Sequence, residues 1–121
     1  MRHLEENLQI VCVRWFAMQY REYATLLHHS PNGGKRNARE AARFKEMGTR
    51  PGFPDLLLLH PNGNYHFLAI ELKTDKGRQS HYQRQWQDMI EREGGMYVII
   101  RSLQQFIDTV DTYMQPLQTT R

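Results

Sequence analysis

The sequence predicts a three-layer α/β domain, in which a mixed sheet is covered by helices on both faces. The first observation is a pair of apolar runs, 56–59 and 65–73, with no polar face. Leu57 and Leu59 point one way, and Leu56, Leu58, Leu68 and Ile70 the other. Strands apolar on both sides need cover on both sides. The second observation is a third apolar run, 96–100, reached only through a helical stretch. Such a connection makes it parallel to 65–73, with a right-handed crossover. The third is the element order: helix, strand, helix, hairpin, helix, strand, helix.

Each element has its own signal. Leu4, Leu8, Val11, Trp15, Met18 and, at the far limit, Leu26 give the first segment the spacing of an apolar helix face. Leu26 to His29 reads as a short strand, ended by the breakers Ser30-Pro31-Asn32-Gly33-Gly34. A second helix runs over 37–47, with Ala38, Ala41, Ala42 and Phe44 as its packing side, and Gly48 stops it. Two prolines and a glycine make 49–54 irregular. A turn at Pro61-Asn62-Gly63-Asn64 closes the next two runs into a β-hairpin. Ser80 and Gln83 form a capping box for a helix over 80–93, which Gly94-Gly95 end. Beyond strand 96–100, Ser102 caps a last helix carrying Leu103, Phe106, Ile107, Val110 and Met114. Residues 1–115 read as one domain and 116–121 as a tail.

Composition narrows the class. The 121 residues are 40% hydrophobic and 24% charged, as in an ordinary globular domain that needs no staples. The lone Cys12 excludes an internal disulfide and fits a reducing compartment. Apolar runs are too short to cross a bilayer, and the charged start lacks a signal peptide's apolar stretch. A cytoplasmic protein without a membrane partner is expected. Net charge is +3. Its distribution matters more, because Lys35, Arg36, Arg39, Arg43, Lys45 and Arg50 face only Glu40 and Glu46 within the same stretch. That cluster either attracts phosphates or forms a solvated helix face.

Three polar residues interrupt the apolar hairpin. In an antiparallel pair the position numbers of opposed residues have a constant sum, about 126 for a turn near Gly63, which sets Asp55 across from Glu71. Lys73, two residues on, points to the same side. Two carboxylates and an ammonium therefore converge where the strand pair ends. Paired carboxylates repel unless a cation lies between them, and hard oxygen ligands suit Mg²⁺ or Mn²⁺. A cation with open positions for water and a phosphate oxygen suits phosphodiester hydrolysis, with Lys73 orienting the attacking water. The plainer alternative is a surface salt bridge between Glu71 and Lys73, with Asp55 capping a turn.

Other polar groups point less clearly. Asn32-Gly33-Gly34-Lys35-Arg36 reads either as a DNA-backbone contact or as an ordinary turn. His28 and His29 read as partly buried spacers at a strand end, because no further His or Cys stands at ligand spacing. Trp15, Tyr20, Trp86 and Tyr97 read as core. Lys76, Arg78 and Arg84 flank the exit of the acidic strand and suit phosphate contacts.

Five stretches together resemble the VRR-NUC (virus-type replication-repair nuclease) family of the PD-(D/E)xK nuclease superfamily. They are Glu5-x-x-x-Gln9 with Trp15, Pro31-Asn32-Gly33-Gly34-Lys35-Arg36, Gly48-x-x-Pro51-Gly52-x-Pro54-Asp55, Ile70-Glu71-Leu72-Lys73, and Gly77-Arg78-x-Ser80-x-x-Gln83-x-x-Trp86. The resemblance implies a restriction-endonuclease-like fold and a phage or bacterial homodimer that cuts branched DNA, as a Holliday-junction resolvase does. It implies metal binding by Asp55, Glu71 and the Leu72 carbonyl, and makes Lys73 the catalytic lysine. It adds Glu5 as the acid of the first helix, with Glu6 as a competitor, and Gln83 as a contact of the metal site or the DNA backbone. Phe53 and His81 depart from the family pattern, which carries a small aliphatic residue and proline there. A second expectation is a DNA-binding module that keeps the fold without cutting, against which the intact Asp55, Glu71 and Lys73 stand.

Overall fold

The computed structural model describes residues 2–31 and 37–115. In chain order it comprises α1 (Arg2–Gln19), a 3₁₀ turn (Arg21–Leu26), β1 (Leu27–His29), α2 (Ala38–Glu46), β2 (Leu56–Leu58), β3 (Leu68–Leu72), α3 (His81–Arg92), β4 (Met96–Ile100) and α4 (Leu103–Met114). The strands form a sheet in the order β1-β2-β3-β4. The first two pairings are antiparallel and the last is parallel, as the helical crossover through α3 requires.

Register follows the arithmetic of the sequence. Leu56 lies opposite Ile70 and Leu58 opposite Leu68. All five residues of β3 are buried, so its alternation feeds two separate cores. Leu56, Leu58, Leu68, Ile70 and Leu72 meet Cys12 and Phe16 of α1 and Phe106, Val110 and Tyr113 of α4. Ala69 and Tyr97 meet Ile90 of α3, with Leu57, Phe67 and Trp86 packed around them. The fold is thus the expected mixed sheet with helices on both faces.

Helix ends are set by side chains that satisfy orphan amides. Asn37 caps α2, Ser102 caps α4, and the Ser80–Gln83 capping box of α3 is formed in both directions. Gly52 is required twice over. Its φ is +81°, and a Cβ there would lie 2.6 Å from the Tyr82 carbonyl carbon. The irregular stretch before β2 therefore lies directly against the start of α3.

Several expectations give way. The first helix stops at Gln19, because Tyr20 leaves helical geometry while its hydroxyl donates to Asp111 and its ring stacks on Phe16. The hairpin turn is not tight, since nine residues separate Leu58 from Leu68. Asn62 organises that loop: buried, it accepts from the amides of Asn64 and Tyr65 and donates to the Tyr113 carbonyl. The Tyr113 hydroxyl answers by donating to the His60 carbonyl. Leu59 falls outside the strand and is exposed. Along α2, Ala38, Ala41 and Ala42 are exposed and only Phe44 is half-buried, so small residues at helical spacing did not make a packing face. No described helix is long and apolar enough to cross a membrane.

Candidate active site

The site lies where β2 begins and β3 ends. Asp55 directly precedes β2, and extending the register by one residue sets it across from Glu71. Alternation along β3 turns Glu71 away from the face of Leu68, Ile70 and Leu72, toward α3. There the Gln83 side-chain amide donates to Glu71 Oε2. Asp55 Oδ2 accepts from the Leu72 amide at 2.7 Å, which ties the carboxylate to the strand that carries Glu71. Lys73 Nζ stands 4.0 Å from Glu71 Oε2. The surface-bridge alternative fails on burial, since the Glu71 side chain is only 3% exposed and that of Lys73 12%.

Glu71 is electrostatically uncomfortable. Its Oε1 is buried and, among the described residues, accepts no hydrogen bond. Burial, followed by the neighbouring Asp55 charge, pushes its carboxyl up to about 9; Lys73 opposes the rise, and a side-chain hydrogen bond with Asp55 and then the Glu5 charge add to it. A buried acceptor left unpaired costs about 1–3 kcal/mol, and more when it is charged. A divalent cation fits this donor set: it would take up the orphaned oxygen and offset the repulsion between the two acids. Among the described residues, no three His, Cys, Asp or Glu side chains come close enough to cage an ion alone. Any ion here would be completed by a carbonyl, water or substrate oxygens, which Mg²⁺ readily accepts.

The remaining residues singled out by sequence fall at varied distances from this centre. Glu5 is half-buried on α1 and its charge is felt at Glu71, whereas Glu6 is exposed. Lys76 and Arg78 are exposed on the connection after β3, Arg84 on the first turns of α3, and Arg39 on α2. Asn32, Gly33, Lys35 and Arg36 lie outside the described residues. His28 and His29 are exposed rather than partly buried, because β1 is an edge strand. A ring nitrogen of His29 hydrogen-bonds the Asp55 carbonyl at 2.7 Å, in effect extending the β1–β2 ladder by one side chain.

Sequence reasoning missed Arg101. One guanidinium nitrogen donates to the carbonyls of Thr74 (2.6 Å) and Gly77 (2.8 Å), folding the loop after Lys73 back on itself. The signal was available: parallel pairing sets Leu72 beside Ile100, so the next residues, Lys73 and Arg101, are neighbours.

Fold and site thus describe a three-layer α/β domain with an acidic pair and a lysine at the end of a central strand. A model of the VRR-NUC domain matches residues 4–104 of the chain. A solved structure of a VRR_NUC domain protein superposes with a TM-score of 0.80 at 30% sequence identity, covering 92% of this chain and 88% of its own. No curated protein matches. The chain belongs to the VRR-NUC family, and is therefore a member of a nuclease family.

Proposed function

We propose that this chain is a metal-dependent DNA endonuclease that hydrolyses phosphodiester bonds, acting on structured or branched DNA as a cytoplasmic homodimer. The observation that carries the reading is Glu71, a buried carboxylate with an orphaned oxygen, set beside Asp55 and within reach of Lys73. Asp55, Glu71 and the Leu72 carbonyl would hold Mg²⁺ or Mn²⁺, with Glu5 supplying further negative charge. When bound, such an ion lowers the pKa of water and polarises the scissile phosphate.

The chain's own groups do the rest. The Lys73 ammonium, largely withdrawn from solvent, orients a water for attack and favours its deprotonated form. Gln83 fixes the Glu71 carboxylate through its side-chain amide, and the capping box fixes Gln83 at the start of α3. Arg39, Lys76, Arg78 and Arg84, with Asn32, Gly33, Lys35 and Arg36, track the DNA backbone, so binding weakens as salt rises. Residues 1–115 carry the whole activity in this reading.

The test is incubation with supercoiled plasmid and a synthetic four-way junction in Mn²⁺, Mg²⁺ or EDTA. Cleavage requires the ion, and Lys73→Ala and Asp55→Ala each lose roughly 10²–10⁴-fold in rate, with circular dichroism unchanged. Tight DNA binding without cleavage in any metal would instead identify a module that keeps the fold but not the chemistry.

A further inference from the structure

A cavity of about 340 Å³ lies between the chain just after β1, the end of α2, the stretch leading into β2, and α3. Phe53, Trp86, Met47, Thr49 and Arg50 line it. The Phe53 and Trp86 rings meet edge to face, with centroids 4.9 Å apart and planes at 88°. Trp86 Nε1 already donates to the Pro51 carbonyl at 3.1 Å. The indole therefore offers the cavity apolar surface and no hydrogen-bond donor. Arg50 is held by the Lys45 and Thr49 carbonyls at 3.0 and 3.3 Å through one guanidinium nitrogen, and it is exposed.

This cavity is coupled to the acids along two paths. Phe53 stands two residues before Asp55 in the chain. Trp86 stands three residues after Gln83, about 4.5 Å along the helix from the side chain that holds Glu71. Whatever fills it therefore touches the same two segments that carry Asp55 and Gln83.

We propose that the cavity takes one unpaired nucleobase, stacked on the Phe53–Trp86 surface while Arg50 meets the adjoining phosphate. The nuclease thereby selects DNA with an unpaired nucleotide at the cut over continuous duplex. This deepens the endonuclease reading and rests on it. The volume is at the lower end of small-molecule pockets, enough for a base with its sugar. Aromatic surface suits a base because every base has a π-face, and without a donor from the indole the preference is tolerant of sequence. A paired base must first be unstacked at a cost of a few kcal/mol, whereas an unpaired one is free to enter. The planar guanidinium of Arg50 matches phosphate geometry.

The experiment uses the full chain in EDTA with a flap DNA and a matched duplex, each carrying 2-aminopurine at successive positions around the branch. Fluorescence quenches at one unpaired position only. Replacing that nucleotide by an abasic analogue lowers flap affinity roughly tenfold, the loss of one stacked base. Phe53→Leu, which keeps apolar volume, lowers the flap-to-duplex affinity ratio similarly, and on the abasic flap has no further effect. Equal affinity for intact and abasic flaps, or unchanged quenching in Phe53→Leu, overturns the proposal. The endonuclease reading is scored separately, by cleavage of the same DNAs in Mn²⁺. Position-specific quenching without any cleavage supports the base pocket and removes the nuclease, whereas cleavage indifferent to the abasic change removes the pocket.

Discussion

On the α1–α4 side of the sheet twelve described residues close into one buried core, while on the α3 side three do, and the acids sit on the thinner side. The same strand, β3, serves both: Leu68, Ile70 and Leu72 face the deep core, and Ala69 and Glu71 face the other way. The deep face places no charged group among its twelve core residues. The shallow one can carry a buried carboxylate, because α3 brings a glutamine to it instead of another apolar side chain. One face holds the sheet together and the other is free to hold chemistry.

The sharpest way to break that comparison is a matched pair of truncations. Ile70→Ala, on the deep face, should cost about 4 kcal/mol, and Ile90→Ala, on the shallow face, about 2 kcal/mol. Urea unfolding measures both, and equal losses would mean that the faces share one core after all.

Next in size is the effect of pH on the metal-free protein. The Glu71 carboxyl is raised from 4.5 to about 9 in the fold, first by burial and then by Asp55. Below the unfolded value both states are protonated and nothing is lost. Between the two values the unfolded chain releases a proton that the fold retains, so stability falls as pH rises from about 4.5 toward 9. Thermal melts in EDTA should show this decline. Glu71→Gln should flatten it, and added Mn²⁺ should raise the wild-type Tm most at the alkaline end. A wild-type melt as flat as that of Glu71→Gln would show that the carboxylate is not strained.

The smallest expected effect concerns the support of the shallow face. Ser80→Ala removes one half of the α3 capping box and should cost about 1 kcal/mol in urea unfolding. It should also slow cleavage several-fold by loosening Gln83. A stability loss with cleavage untouched would detach Gln83 from the work of Glu71.

Much of the fold was legible because it depends on local chemistry. Ser80, Ser102 and Asn37 announce helix starts, and the spacing around Gly63 gives the β2–β3 register although the connection itself is longer than a tight turn. The pairing of Asp55 with Glu71 survives that change because the constant sum depends on the loop's centre, not its tightness. What stayed hidden depends on tertiary partners. Nothing near Tyr20 predicts Asp111 as its acceptor, and nothing along α2 reveals that its alanines stay exposed. Burial of Glu71 was legible only as a placement; the orphaned oxygen that makes the site compelling needed three dimensions.

The knot of hydrogen bonds among His60, Asn62 and Tyr113 has a consequence for motion. It clips the span between the two acidic strands to the end of α4, so these segments should open to solvent as one cooperative unit. Deuterium should enter the Asn64 and Tyr65 amides no faster than it enters the last turns of that helix. A peptide tag inserted at Gly63, for all its exposure, would then loosen the loop and the end of α4 at once.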